Sequence, residues 1–384
     1  MKQFAHRMQI GVLLLVALLF VPFRGRKKNI PETILVIQLA KLGDMICTTP
    51  MFRAVKEHYP ESRLFVLGNA INREVLAGNP HVDEYLTYTG SFTDTVRTLR
   101  ACRIDAVCIT VPSFDMLASA IVARVPHIVV PEIKSGWSPY VTLPYRILSK
   151  FVIRKDHHMG SYAPREYLRL LEPLGIHVND TKKEVRYTTT AFASVETICK
   201  KHSIRNEDTI IGILPGAGND IKSWPPEYFA KLISLIATHH HSVTFVLLGA
   251  HKDAERARII LRHVSSSAKV VNLINLFSLD ELKACISKLH MVIGADTGPQ
   301  YIAEALGIPT IDIVGPVDER EQPPTGNLHR IVKADRKKPE LYVMNARVYN
   351  YEEARRQVES ITPDMVFQAF ESLSAEIGVF EEKS

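Results

Sequence analysis

Short apolar runs alternate with amphipathic stretches along this chain, and that alternation limits the possible folds more than any other feature. The first run, Thr33–Leu39, is rich in Ile, Val and Leu and predicts a strand buried on both faces. The next stretch, Met45–His58, has apolar residues at helical spacing. Strands that alternate with helices indicate a parallel sheet covered by helices on both faces. Further strands are predicted at Ser62–Leu67, Ala106–Val111 and Ile128–Val130.

A second alternating series begins near Thr209. Its predicted strands are Thr209–Leu214, Ser242–Leu248, Lys269–Leu273, Met291–Ala295 and Thr310–Val314. Its predicted helices are Glu227–His239, Asp253–Val264, Leu279–Leu289 and Gln300–Leu306, with a closing helix from Asp364. A chain of 384 residues is long enough for two domains with separate cores. We therefore predict an α/β protein with two Rossmann-like domains, 30–185 and 186–384, facing each other across a cleft.

The N-terminal run Ile10–Phe23 contains no charged residue. It is shorter than the ~20 apolar residues that a spanning helix needs, and no small-residue cleavage site precedes the basic cluster after it. That cluster comprises Arg24, Arg26, Lys27 and Lys28, and it favours a cytoplasmic location for the segment that follows. We interpret residues 1–29 as an uncleaved membrane anchor or interfacial helix; the alternative is an apolar helix packed on the domain.

Charge and cysteine content exclude several classes of protein. The formal net charge of +6 is a mild excess, which suits a phosphate-bearing ligand or an anionic membrane surface and argues against nucleic-acid binding. The five cysteines form no CxxC pair, so a disulfide framework or a zinc site is not expected.

The stretch Pro131–Pro164 breaks the alternation with several prolines, aromatic residues and basic residues. A long irregular insert in a compact domain is often functional. We expect either a surface that faces an acidic acceptor or a solvated excursion without a role in binding.

Three predicted strand-to-helix turns carry chemically useful residues, and ligands of open parallel sheets bind at such turns. In the first turn, Leu39–Asp44, Gly43 permits a tight bend and Asp44 stands where a helix starts. An aspartate at this position is a candidate general base, or simply a helix cap.

The second turn, Pro215–Pro226, combines glycines with a lysine. Gly216 allows backbone N–H groups to approach an anion, and Lys222 supplies a positive charge. The spacing differs from that of a P-loop, and by itself the pattern is weak.

The third turn, Gly294–Pro299, lies between an apolar strand and a helix. The Thr297 hydroxyl and the N–H groups of the helix start suit a phosphate, and Asp296 suits a ribose hydroxyl. A capped turn without a ligand is the alternative.

Taken in order, these turns resemble the motifs of glycosyltransferase family 9, the ADP-heptose:lipopolysaccharide heptosyltransferases. The family pattern S-x-x-G-D followed by a proline corresponds to Ala40–Pro50. The pattern P-G-A followed by K-x-W-P corresponds to Pro215–Ala217 and Lys222–Pro225. The pattern D-T-G-P ahead of A-x-A-L-G-x-P corresponds to Asp296–Pro299 and Ala303–Pro309. The resemblance covers roughly residues 33–316.

The resemblance implies a GT-B fold and an inverting transfer of heptose, with ADP as the leaving group and no metal or cofactor. Asp44 matches the catalytic base, and Lys222 matches a lysine at the donor diphosphate. Gly216 belongs to the same loop, and Asp253 falls near an acidic residue at the nucleoside. The nucleotide-sugar loop is matched by Asp296, Thr297 and Gly298. The implied partners are ADP-heptose, a lipid-linked glycan acceptor and the cytoplasmic face of the inner membrane.

Two departures from the family pattern keep alternatives open. Tyr301 stands where the family usually has a histidine, and Lys41 and Leu42 partly replace a serine pair. A family member that uses another nucleotide sugar for a surface polysaccharide is therefore an alternative. A catalytically silent sugar-nucleotide-binding protein is a second one, but it would not need both Asp44 and Lys222. An NAD-dependent dehydrogenase is disfavoured because no GxGxxG follows the first strand.

Overall fold

The computed structural model describes residues 2–25, 28, 30–205 and 207–379, with side chains from Met8 onward. The chain divides into two compact units. Unit 1 contains the described residues up to Lys182 together with Val343–Arg347, and unit 2 contains Lys183–Tyr342 and the described residues from Val348 onward.

Unit 1 is a parallel sheet with helices between its strands. The strands are β1 Thr33–Gln38, β2 Arg63–Gly68, β3 Glu84–Thr87, β4 Ala106–Ile109, β5 His127–Lys134 and β6 Ile153–His158. The helices are α1 Lys2–Phe20, α2 Leu42–His58, α3 Ala70–Val75, α4 Phe92–Ala101, α5 Phe114–Val122, α6 Leu143–Ser149 and α7 Ala163–Leu168. The strand order is β3-β2-β1-β4-β5-β6, so the direction of winding reverses between β1 and β4.

Unit 2 repeats this plan. Its strands are β7 Thr209–Leu214, β8 Val243–Leu247, β9 Lys269–Asn272, β10 Met291–Ala295, β11 Thr310–Val314 and β12 His329–Lys333. Its helices are α8 Thr189–Lys201, α9 Pro226–His239, α10 Ala254–His263, α11 Leu279–Ile286, α12 Gly298–Ala305, α13 Tyr351–Glu359 and α14 Pro363–Ile377. The strand order β12-β11-β10-β7-β8-β9 places the reversal between β10 and β7.

The central strands of both sheets are covered on both faces, which explains their sequences. In β1 every residue after Thr33 is buried, and β7 shows the same pattern after Thr209. Parallel strands in this position need side chains that are apolar in both directions, and helices supply the cover. The predicted pair of Rossmann-like α/β domains is confirmed.

The stretch Pro131–Pro164 is more regular than its composition predicts. It contains the end of β5, then α6, β6 and the start of α7. The strand β6 could not be recognised from its polar sequence. It lies at the edge of the sheet and leaves Arg154 and Asp156 exposed. The expectation of an irregular insert was therefore wrong.

The apolar run near the N-terminus folds as α1 followed by a 3-10 turn, Val21–Phe23. The inner face of α1 packs against α5 and α6, and Ala17 is completely buried there. Arg24 donates hydrogen bonds to the carbonyls of Pro126 and Phe151, at 2.5 and 2.7 Å. None of the helices within the described ranges is long and apolar enough to cross a membrane.

These contacts correct the expectation of a separate anchor at residues 1–29. Over its described part the segment belongs to the core of unit 1, because a full helical face is apolar and α5 and α6 offer it a partner. Four residues of that segment, Met1, Arg26, Lys27 and Asn29, lie outside the described residues.

The burial of Ala17 predicts a difference between the two faces of α1. Ala17→Leu inserts a larger side chain into a packed contact and should lower the free energy of unfolding by about 1–3 kcal/mol. Leu15→Ala changes a side chain that is 65% exposed and should shift it by about 0.5 kcal/mol or less. Urea denaturation of the full-length variants measures both values, and equal effects would contradict the packing of α1 on unit 1.

Candidate active site

Asp44 lies in the first turn of α2, directly after β1. Its Oδ2 atom accepts a hydrogen bond from the backbone N–H of Lys41 at 3.1 Å, and the side chain is partly exposed. This contact caps the start of the helix, which is one of the two roles predicted for Asp44 from the sequence. A carboxylate has about four lone-pair sites on two oxygens, so this contact does not exhaust its capacity to accept a proton.

Buried amides hold the turn in front of Asp44. Ala40 receives three contacts: its N–H donates to Gln38 Oε1 at 3.1 Å, and its carbonyl accepts from Asn69 and Asn72 at 2.9 and 3.0 Å. Gln38 and Asn72 are completely buried. These positioning residues were not predicted from the sequence, although an amide at the end of an apolar strand was a usable signal for Gln38.

The loop after β7 is clamped by Trp224. This side chain is fully buried, its Nε1–H donates to the Ile361 carbonyl at 2.8 Å, and its ring packs edge-on against Phe229. Ser223 Oγ accepts the Ala217 N–H at 3.1 Å and closes the loop on itself. These contacts fix the backbone next to Lys222 and give the K-x-W-P spacing a physical reason.

Lys222 and Asp296, which the sequence placed in separate motifs, are in contact. Lys222 Nζ lies 2.6 Å from Asp296 Oδ2, and the Tyr301 hydroxyl donates to the other carboxylate oxygen. Asp296 is buried, whereas Lys222 remains partly exposed. The two residues follow β7 and β10, the neighbouring strands between which the winding of unit 2 reverses. Open α/β sheets bind ligands at such a point.

The start of α12 adds an anion-binding feature at the same edge. Thr297 is its N-cap residue and makes no side-chain capping hydrogen bond, and Gly298 is the first helical residue. Both are partly exposed. The first N–H groups of a helix have no intrahelical acceptor and carry partial positive charge, so they suit a phosphate.

Asp253 stands directly against Gly216. An added Cβ at Gly216 would lie 1.8 Å from Asp253 Oδ1, and one at Gly249 would lie 2.7 Å from Oδ2. Oδ2 accepts the Ala250 N–H at 2.9 Å, while the buried Oδ1 has no hydrogen-bond partner among the described residues. The two glycines therefore make room for a carboxylate with an unused acceptor beside the loop of Lys222.

A second buried carboxyl, Asp312, lies on β11 beside β10. It is completely buried, and neither of its oxygens has a hydrogen-bond partner within the part of the chain that the structure describes. Burial raises its pKa well above the ordinary value, and the carboxylate of Asp296 raises it further. The protonated form of Asp312 is therefore favoured next to the charged pair of Lys222 and Asp296.

Unit 2 thus brings six predicted residues to the loops at one edge of its sheet. Lys222 contacts Asp296, Gly216 contacts Asp253, and Thr297 and Gly298 start the adjoining helix. Asp44 belongs to unit 1 and lies beside the corresponding reversal there. Over the described ranges, no three or more His, Cys, Asp or Glu side chains are grouped so as to hold a metal ion.

Comparisons with known proteins identify relatives of this chain. A protein-family model described as glycosyltransferase family 9 (heptosyltransferase) matches residues 93–350. The chain is 25% identical over 365 residues to lipopolysaccharide heptosyltransferase 2 of Salmonella typhimurium, which covers 90% of this chain and 99% of that protein.

Two solved structures have a similar fold. The glycosyl transferase family 9 structure from Veillonella parvula aligns with a TM-score of 0.73 at 19% identity and covers 92% of this chain and 99% of that one. E. coli ADP-heptose lps heptosyltransferase II aligns with a TM-score of 0.69 at 20% identity and covers 90% and 99%. At these identities the likeness shows the fold.

The contact between Gly216 and Asp253 predicts a coupled pair of substitutions. Gly216→Ala should displace the Asp253 carboxylate and lower the affinity for ADP by about tenfold or more, because an atom cannot lie 1.8 Å from Oδ1. In an Asp253→Ala background the same change should cost much less, since the clashing oxygen is gone. Calorimetric titration with ADP measures all four proteins of this cycle.

Gly11→Ala is the matched glycine control, because an added Cβ there meets no atom within 4 Å. It should leave the ADP affinity unchanged. Additive effects of Gly216→Ala and Asp253→Ala would show that the two residues do not act through this contact.

Proposed function

The chain belongs to glycosyltransferase family 9, and within that family we propose that it transfers a heptose from ADP-heptose to a lipopolysaccharide core or a related lipid-linked glycan. The observation that carries this proposal is the contact between Lys222 and Asp296 at the reversal point of unit 2. It brings two motif loops together, so that the Lys222 ammonium and the N–H groups at the start of α12 lie at the same edge of the sheet, which suits a diphosphate. The name of the E. coli enzyme with a similar fold, an ADP-heptose heptosyltransferase, supports the choice of donor.

We assign Asp44 the role of general base in an inverting displacement. The acceptor hydroxyl gives its proton to the Asp44 carboxylate as its oxygen bonds to the anomeric carbon of the donor sugar. The bond from that carbon to the diphosphate breaks, and ADP leaves with the electron pair. Lys222 and the N-terminus of α12 stabilise the negative charge that develops on the diphosphate.

We assign the nucleoside end of the donor to Asp253. Its Oδ1 atom is a buried acceptor without a partner among the described residues, and a ribose hydroxyl is a donor that would satisfy it. Gly216 and Gly249 leave the space that this carboxylate occupies.

A different nucleotide sugar is the second candidate donor, and Tyr301 favours it. The family histidine at this position is replaced by a phenol whose hydroxyl donates to Asp296, so the group next to the donor loop differs in size and charge. A direct comparison of nucleotide-sugar donors decides between the two candidates.

We further propose that the enzyme works at the cytoplasmic face of the membrane through the outer face of α1. Met8, Val12, Leu15 and Leu19 are each more than half exposed and recur at helical spacing on this face. An apolar helical stripe of this kind suits the boundary between lipid headgroups and acyl chains. Nucleotide sugars are cytoplasmic, so this attachment would bring the donor to a lipid-linked acceptor.

The donor assignment predicts opposite behaviour of two variants. Asp44→Asn should lower kcat by at least about a hundredfold and leave ADP affinity unchanged, because it removes only the proton acceptor. Lys222→Ala should weaken ADP binding by about 1.5–3 kcal/mol, as expected for a charge-assisted contact. Calorimetry with ADP and mass-spectrometric detection of the glycosylated product measure the two effects separately.

Thermal denaturation with a panel of nucleotide sugars completes this test. ADP-heptose should raise the Tm more than UDP- and GDP-sugars do, and Lys222→Ala should reduce the increase. A larger increase with another sugar would replace ADP-heptose by that donor. Wild-type kcat in Asp44→Asn would leave Asp44 as a helix cap only.

The membrane assignment predicts a loss of binding when the outer face of α1 becomes polar. Leu15→Gln combined with Leu19→Gln should reduce flotation with phosphatidylethanolamine and phosphatidylglycerol vesicles by about tenfold or more, since two apolar side chains lose their burial in lipid. Leu261→Gln combined with Leu276→Gln alters two exposed leucines of unit 2 and serves as the control. Equal flotation of the two double variants would refute attachment through α1.

A further inference from the structure

Unit 1 contains a cavity of about 560 Å³ at the point where its winding reverses. The loops after β1 and β4 form two of its sides, through Leu39 and Ala40 and through residues 111–116. Ala40 stands four residues before Asp44, so the cavity adjoins the turn that carries the proposed base. In an open α/β sheet this is the place where a ligand binds.

The lining of this cavity has an apolar floor and a charged rim. Ile37, Ile109 and Phe114 supply apolar surface, whereas Asp115 and Arg347 bring the two charged groups. Both charged side chains are exposed. Such a mixture suits a sugar ring with an ionised substituent better than a purely apolar ligand.

Arg347 lines this cavity of unit 1 from a position late in the sequence. It ends the short segment Val343–Arg347, which belongs to unit 1 although the chain on both sides of it belongs to unit 2. Within this segment Met344 is completely buried and holds the backbone in place. The Arg347 guanidinium lies 5.0 Å from the centroid of the Tyr140 ring, which also lines the cavity.

The Arg347 guanidinium makes no ion pair or hydrogen bond with other described residues, so its N–H groups remain available. Stacking on an aromatic ring orients the planar group without using its donors. A guanidinium presented in this way matches the two oxygens of a carboxylate or a phosphate.

We propose that Arg347 binds an anionic group, a carboxylate or a phosphate, of the acceptor glycan in this cavity. The proposal rests on the proposed function, because it takes the ligand of unit 1 to be the acceptor. The ring that carries the anionic group packs on the apolar floor, and the neighbouring sugar hydroxyl then reaches the turn of Asp44. Arg347 is therefore a residue that determines acceptor specificity, contributed by the C-terminal half of the sequence.

Initial-rate kinetics with a deacylated inner-core oligosaccharide from heptose-deficient lipopolysaccharide test this role. Arg347→Ala should raise the KM for the oligosaccharide by about tenfold or more, with the donor KM and kcat nearly unchanged. The acceptor KM of Arg347→Lys should lie between those of wild type and Arg347→Ala, because lysine keeps the charge and lacks the planar fork. Arg186→Ala, at an exposed arginine in unit 2 outside the cavity lining, is the matched control and should behave as wild type.

Two altered oligosaccharides, one dephosphorylated and one with its carboxylates reduced to alcohols, identify the anionic group. The oligosaccharide that lacks the relevant group should bind wild type weakly, and Arg347→Ala should have no further effect on it. An acceptor KM within about twofold of wild type in Arg347→Ala, or an equal loss with all three oligosaccharides, would overturn the proposal.

Calorimetric binding of the same oligosaccharides without donor separates this proposal from the proposed function. Arg347-dependent binding of the oligosaccharide by a protein that forms no product when ADP-heptose is added would support the cavity and refute the reaction. Transfer whose acceptor KM does not depend on Arg347 would support the reaction and refute the role of the cavity. Failure of wild type to bind any of the three would overturn the cavity assignment.

Discussion

The burial of both faces of each parallel sheet is the constraint on which the rest of this structure depends. A strand such as β1 or β7, covered by helices above and below, has no side-chain direction in which a polar group meets water. Polar chemistry is therefore concentrated at the strand ends, where the backbone leaves the sheet. The reversal of winding in each unit opens a space at those ends, and the loops of Asp44 and Lys222 lie beside these two spaces.

The same constraint explains which parts of the fold could be predicted from the sequence. The bounds of β7, β10 and β11 follow from their apolar runs, because strands that are covered on both faces consist mainly of apolar residues. Three of the four edge strands, β3, β6 and β12, escaped prediction, since an exposed edge tolerates charged residues such as those of β6. The fourth, β9, was predicted from the sequence. The motif turns could be found one at a time, whereas the contacts between them required the tertiary structure.

The limits of prediction in the site have the same origin. Lys222 and Asp296 are 74 residues apart, and no local pattern shows that their side chains meet at 2.6 Å. Asp312 sits inside the apolar run of β11, so its sequence context predicts only a strand. Gln38 and Asn72 act through the Ala40 backbone; the place of Gln38 at the end of an apolar strand was a signal, but no local pattern shows that Asn72 reaches the same residue.

Buried charges next to the loop of Lys222 form a connected set rather than isolated pairs. Lys183 is almost completely buried, pairs with Glu304 at 2.5 Å and donates to the Gln322 carbonyl at 3.1 Å. Its ammonium also lies 5.0 Å from the centroid of the Tyr301 ring, and the Tyr301 hydroxyl donates to Asp296. Removing one member of such a set would leave other charges buried and unpaired, which is costly. Because this set joins both ends of α12 to the Lys222 loop, the buried Tyr301 supports the position of that loop. The position of Asp296, directly before the helix start at Thr297, therefore depends on contacts made along α12 as well as on Lys222.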